Sequence, residues 1–266
     1  HHAEKLIGAI IGKIYFRFVM QQVILNQNIV GGQNVLQQTM INQSNTVYIF
    51  KYEFYLTSSI TIPAECVLLF EGGGVKNGTL TGNHTRIVAP MCQIFAINMT
   101  LNGTWDLDEC YPEWFGAKAD GTTDDKSAIQ KCFSLFPNRV VLSQGVYGIS
   151  SEINITNADF IIRRNSTLKA MSTSIDFMLR ASYPSASANQ LKAYPEISGG
   201  GVIDCNNKAA TALTFHNGYR VNIHHLTIKN PLTSGITAST PDNNQTGNGN
   251  IDVRNVRIVG NPQNPS

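Results

Sequence analysis

The sequence predicts an all-β chain built as a parallel β-helix, a solenoid of stacked coils, with one capping helix and a smaller β-structured leader module. Three observations carry that prediction. Short β-branched or aromatic runs follow one another between Gly, Asn, Ser and Asp turns, two segments repeat residue by residue at fixed offsets, and only Asp124 to Phe136 has helical spacing. With 42% hydrophobic and 14% charged residues in 266, the chain can bury a large core. A flat β-sandwich is the alternative architecture.

Residues 1–45 read as an N-terminal connector, partly helical. Leu6 to Leu25 is apolar-rich, but Lys13 and Arg17 interrupt it and no small-residue cleavage site follows, which disfavours a membrane span and a signal peptide. Residues 46–110 read as the leader module, with strands at Val47–Phe50, Ile60–Ile62 and Val67–Phe70 and turns at Glu71–Gly74 and Lys76–Thr79. Residues 111–266 read as the β-helix, its capping helix near 124–136, with coils expected to continue past residue 266 in a longer protein.

Two repeats support stacking. An offset of 93 places Val47-Tyr48-Ile49 on Val140-Val141-Leu142, Phe54 on Tyr147, Ile60 on Ile153, Ile62 on Ile155 and Leu68 on Ile161. An offset of 30 places Val221, Ile223, Leu226 and Ile228 on Ile251, Val253, Val256 and Ile258. Val221 and Ile223 share one face of a strand, but Leu226 and Ile228 fall in the opposite phase, so the chain must bend between them if all four face one core. The bend falls at His224-His225 and, one coil later, at Arg254-Asn255.

Trp114-Phe115-Gly116-Ala117-Lys118-Ala119-Asp120-Gly121-Thr122-Thr123-Asp124-Asp125-Lys126-Ser127-Ala128-Ile129-Gln130 resembles the opening motif of the pectate-lyase-like right-handed β-helix superfamily. That motif reads Phe-Gly-Ala, a Gly-Asp-Gly turn, Thr-Asp-Asp and Ala-Ile-Gln. The resemblance covers Trp114 to Ile155 well, including the Gly-x-Tyr signature at Gly145-Val146-Tyr147, and the other strands loosely. Ala119 departs from the usual Gly, and Ser143-Gln144 from a Pro-containing pair. The residues also make sense without the family. Asp120-Gly121 is a turn dipeptide, Thr123 or Asp124 can cap a helix, and adjacent acids favour its positive end. Ala128, Ile129, Cys132, Phe133 and Phe136 fall on one helical face, and Pro137 stops the helix. Capping explains Asp124 and Asp125 better than a catalytic dyad does.

The resemblance implies a polysaccharide-degrading protein, a lyase or glycoside hydrolase, that is extracellular or mounted on a virion surface as a phage tail spike. The alternatives are a non-catalytic glycan-binding adhesin or structural tail fibre segment, and the capped N-terminal end of a longer enzyme. It implies a polysaccharide substrate or cell-surface glycan as partner. It also admits a homotrimer, although no coiled-coil heptads mark one. A net charge of +2 without a Lys/Arg run argues against nucleic-acid and membrane partners. No cofactor or metal is expected, because Cys66, Cys92, Cys110, Cys132 and Cys205 lie far apart and read as buried thiols.

The catalytic candidates are Asp204, Asp242 and His216. Asp204 follows Gly199-Gly200-Gly201-Val202-Ile203, where the glycines permit close packing and the Asp is more readily a turn former than a catalyst. Asp242 lies in the polar loop joining the two matching strands. The substrate-binding candidates are His224, Arg254 and Arg257, a cationic column at the corner suited to an acidic glycan, and Tyr219, able to stack on a sugar ring. For the column, a merely solvated corner is the simpler reading. The polygalacturonase signatures are not found as a set.

Overall fold

Where β-branched runs alternate with polar residues, the chain forms strands, and nearly all of them pair in parallel. The computed structural model describes residues 20–155, 158–182, 195–216, 221–239 and 251–260. They divide into two compact units, one comprising the chain to Pro90 with Asn98–Asp106, the other Met91–Ile97 with Leu107 onward.

The first unit contains β1 (Gln21–Ile24), β2 (Ile29–Val30), β3 (Gln33–Leu36), β4 (Thr46–Phe50), β5 (Glu53–Leu56), β6 (Ile60–Thr61), β7 (Val67–Phe70), β8 (Gly74–Lys76), β9 (Thr79–Val88) and β10 (Thr100–Trp105). One sheet runs β1-β4-β7-β9-β10 and another β2-β3-β5-β8; among the described residues of this unit only β2 with β3 is antiparallel. Of the expected partly helical connector, residues 1–19, which hold most of the apolar-rich stretch, lie outside the described residues. Residues 20–45 form strands and one 3₁₀ turn, Gln38–Met40, and β1 extends the leader's own sheet in register Gln21↔Thr46. Gly31-Gly32, both at positive φ, closes the β2–β3 hairpin, a two-glycine turn between Val30 and Gln33. The leader thus begins before residue 46.

The second unit contains β11 (Glu109–Cys110), β12 (Asp120–Asp124), α1 (Lys126–Ser134), β13 (Arg139–Leu142), β14 (Gly145–Ile149), β15 (Ile153–Ile155), β16 (Asp159–Ile162), β17 (Ser166–Ala170), β18 (Phe177–Ser182), β19 (Glu196–Ser198), β20 (Val202–Asp204), β21 (Thr211–His216), β22 (Val221–Lys229), β23 (Ser234–Ser239) and β24 (Ile251–Val259). Three parallel ladders recur in the same order. The first is β11-β13-β16-β19-β22, the second β12-β14-β17-β20-β22, the third β15-β18-β21-β23, and β24 pairs β22 along both halves.

The expected corner is present. Val221, Ile223, Leu226 and Ile228 are all buried, β22 pairs β19 before the corner and β20 after it, and His225 sits at φ 52°. Asn255 repeats the turn at φ 54°, and β24 lies in the register Val221↔Ile251 to Ile228↔Ile258. In the first unit β9 bends the same way, with Leu80 and Gly82 buried before His84 (φ 49°) and Thr85 and Ile87 after it.

Inward rows make the core. Cys110, Val140, Phe160, Ile197 and Ile223 are successive ladder partners, as are Tyr147, Leu168, Ile203 and Ile228, and every one is buried. Each large apolar side chain so buried contributes about 1.5–3 kcal/mol. The glycines fit this close stacking. A Cβ on Gly145 would stand 2.5 Å from the Ala119 carbonyl oxygen, and one on Gly199 2.4 Å from that of Ile162.

Helix α1 buries Ala128, Ile129, Cys132 and Phe133, the last edge-on to Phe160 with ring centroids 5.5 Å apart. Phe136, expected on that face, is 62% exposed: the helix ends at Ser134 with Leu135 as its C-cap, and Phe136, just before Pro137, leaves the helical face in left-handed backbone at φ 51°. The N-cap is Asp125, not Thr123 or Asp124, and its side chain points away from the helix. Its two oxygens accept the N–H groups of Lys118 (2.7 Å) and Ala119 (3.1 Å), tying down the preceding turn. Asp124 accepts from the Lys126 and Ser150 N–H groups and the Ser150 hydroxyl. Four cysteines are buried as expected, whereas Cys92 is exposed.

Candidate functional site

Because Cys110, Val140, Phe160, Ile197 and Ile223 point inward, the residue before each points out. Glu109, Arg139, Asp159, Glu196, Asn222 and Asp252 thus form one outward row across the first ladder, neighbours about 4.8 Å apart. A second row two residues on carries Ser198, His224 and Arg254.

At one end, Glu109 gathers three partners. Its Oε1 lies 3.3 Å from Arg139, and its Oε2 lies 3.3 Å from Arg163 and accepts the Tyr111 hydroxyl. The Tyr111 ring meets Trp114 at 5.5 Å, and the Arg163 guanidinium lies 6.0 Å from its centre. Burial and the Glu109 carboxylate push the Tyr111 phenol up, so it remains a hydrogen-bond donor at neutral pH.

Three strands further on, Glu196 is held by its own N–H, which donates to Asp159 at 2.8 Å. Its Oε1 lies 3.3 Å from His224 Nε2 and accepts the Ser198 hydroxyl. His224 Nδ1 lies 2.9 Å from His225 Nδ1, and His225 Nε2 lies 3.2 Å from Asn255 Nδ2. Arg254 stands in register with His224 and pairs with Asp252 at 3.1 Å. Ion pairs this exposed stabilise by about 0–1 kcal/mol, so their main effect is to hold the side chains in a patterned array.

The expected residues separate. His224 and Arg254 adjoin, as expected of the column. Arg257 does not join them: it lies beyond the corner, beside Thr227, because the bend at Asn255 carries it to another ladder. Asp204 is likewise on the second ladder, where its Oδ1 accepts the Asn206 N–H (2.8 Å) and the Asn230 side-chain amide (3.0 Å), the contacts of a turn former. His216 ends β21 on the third ladder, in backbone register between Ser182 and Ser239. Asp242 and Tyr219 lie outside the described residues.

Sequence reasoning missed Glu109, Tyr111, Arg139, Arg163, Glu196 and Ser198. The available signal was polar residues flanking a single buried apolar one, as in Glu196-Ile197-Ser198. It was hidden because the first-ladder strands start at uneven intervals, at residues 139, 159, 196, 221 and 251.

The first unit offers a different feature, a cavity of about 420 Å³ lined by Val23, Leu25, Met40, Asn42, Gln43 and Tyr48 among others. The Tyr48 hydroxyl is satisfied by the Gln43 backbone, and no charged side chain converges there. Among the described residues no His, Cys, Asp or Glu group could hold a metal ion, and no helix is long and apolar enough to cross a membrane. Compared with known proteins, the chain matches no family model, no curated protein and no solved structure.

Proposed function

We propose that the ladders are walls of a right-handed parallel β-helix of the pectate-lyase-like kind and that the outward face of the first ladder binds an extended polysaccharide. The observation that carries this reading is the row Glu109, Arg139, Asp159, Glu196, Asn222 and Asp252, flanked by Arg163, His224 and Arg254. A polymer laid across the strands meets a new polar group every 4.8 Å or so, which suits a repeating ligand better than a compact one. Three ladders re-entered in constant order support the β-helix. The resemblance of Trp114 to Ile155 supports the polysaccharide class and an extracellular or virion-surface setting.

Recognition leads because the acidic side chains of the face are already engaged: Glu109 holds Arg139, Arg163 and Tyr111, and Glu196 holds His224 and Ser198. Cleavage is the second reading, favoured by one arrangement. His224, oriented by Glu196 and next to Arg254, pairs a proton acceptor with a cation able to neutralise a uronate carboxylate, the needs of β-elimination.

The test is incubation with a panel of bacterial capsular and plant acidic glycans, following binding, new reducing ends and unsaturated-uronate absorbance. Binding to at least one glycan is expected. Binding to none rejects the recognition reading, and binding without either product rejects cleavage.

A further inference from the structure

We propose that His224 and His225 act as a single base at the corner of β22, with His225 Nε2 as the atom that takes the proton and Glu196 and Asn255 as positioning residues. The proposal rests on the cleavage reading and names the atom which that reading needs. Three contacts place the protons. His224 Nε2 faces Glu196 Oε1 at 3.3 Å, and a carboxylate oxygen so close favours a proton on the nitrogen over a lone pair. Neutral His224 then presents a bare Nδ1. This atom lies 2.9 Å from His225 Nδ1, so the single proton that fits between the two belongs to His225. Neutral His225 is left with a bare Nε2, which accepts from the Asn255 side-chain amide at 3.2 Å. The donors therefore all point one way, from Asn255 through His225 and His224 towards Glu196.

This order leaves one place for a further proton. Both nitrogens of His224 are engaged, whereas His225 is exposed and its Nε2 meets one neutral amide. A proton added there makes His225 a cation that still donates to His224, which in turn faces the Glu196 carboxylate, a base oriented by its partners. A second proton would set two N–H groups against each other across 2.9 Å, so the pair takes up one. The backbone holds the corner: His225 sits at φ 52°, and its carbonyl accepts the Gly200 N–H at 2.7 Å. The other charges around it are Asp252 and Arg254 on β24, paired at 3.1 Å, and Arg164, whose Nε is 3.7 Å from a Cβ placed on Gly200. The substrate class is a glycan carrying a uronate, its carboxylate towards Arg254, the cation in register with His224. The C–H bond beside that carboxylate breaks, its proton passes to His225 Nε2, and its electron pair forms a C=C bond as the glycosidic C–O bond on the next carbon breaks. The leaving oxygen takes a proton from water, and His225 gives its own to the hydroxide so formed, which restores the base.

Imidazole nitrogen NMR of the full, unaltered chain across pH, assigned through side-chain to backbone correlations, tests the proton order without any glycan or variant. His224 should carry its proton on Nε2 and His225 on Nδ1; on acidification His225 Nε2 gains a proton first, while His224 Nδ1 stays an acceptor. The opposite tautomers, or two rings that charge independently, overturn the proposal. Activity is then read on whichever panel glycan yields unsaturated uronate. His225→Gln should lower product formation about a hundredfold or more. Glu196→Gln should move the acid limb of kcat to lower pH, and Asn255→Asp, which sets a carboxylate beside Nε2, should move it to higher pH, each by about half a unit or more. Limbs that stay in place in both variants mark merely structural roles and overturn the proposal. The expected tautomers without product from any glycan reject the base role through failure of the cleavage reading, whereas product with the opposite tautomers rejects the proposal and leaves cleavage standing.

Discussion

Ala119 occupies left-handed backbone, at φ 50°, where the related motif carries glycine. A Cβ in that conformation costs about 1–2 kcal/mol, partly offset by the greater freedom glycine gives the unfolded chain. Ala119→Gly should therefore raise stability by about 0.5–1 kcal/mol, seen as a higher denaturant midpoint with unchanged slope. A lower midpoint would show that the turn needs the methyl group. Tyr147 gives a pH test. Burial first, then the Glu113 carboxylate, pushes its phenol up to about 12. The folded protein thus keeps a proton that the unfolded chain, with an ordinary value near 10, gives up earlier. That contribution is fully present below about pH 10 and is lost as pH rises towards 12. Tyr147→Phe should be less stable at neutral pH, having lost its bonds to Glu113 and Ser143, yet fall less steeply between about pH 10 and 12 in denaturant titrations. An equally steep fall in the variant would refute this assignment.

Among the elements, the bent strand decides most. The spacing of β22, two buried residues in one phase and two in the other, was readable as a corner because a strand cannot bury both sets while straight. The offset of 93 was also a true register: Tyr48↔Leu68 maps onto Val141↔Ile161, and Phe54↔Val75 onto Tyr147↔Leu168. Leu68 is buried, however, whereas Phe160 and Ile162 rather than Ile161 are buried in β16, so side-chain phase slips by one where backbone register does not. Residues 26–45 were read only as part of a connector, and the Gly31-Gly32 hairpin signal in them went unused. The proposed glycan-binding face was hardly legible, since ladder neighbours far apart in sequence build it. Position within a ladder also sets sensitivity. Ile223 is fully buried while its partner Val253 is 46% exposed. Ile223→Ala should cost about 2–5 kcal/mol, and Val253→Ala under about 1.5 kcal/mol, in equilibrium unfolding. Equal costs would contradict the inward row.

At the scale of the whole molecule, parallel ladders turn scattered residues into a surface with a fixed repeat. Rigid strands hold the side chains of the face, so ligand binding need not order them first. The most direct measurement is calorimetric titration of a glycan retained in the panel, comparing the unaltered chain with Arg139→Ala, Glu196→Gln and Arg254→Ala. Lys51→Ala is the control, because Lys51 pairs only peripherally with Glu71, at 3.8 Å in the first unit. The face variants should each bind about tenfold more weakly, a loss near 1.4 kcal/mol, with the control unchanged. Face variants that bind as tightly as the unaltered chain would place the glycan elsewhere and contradict the account.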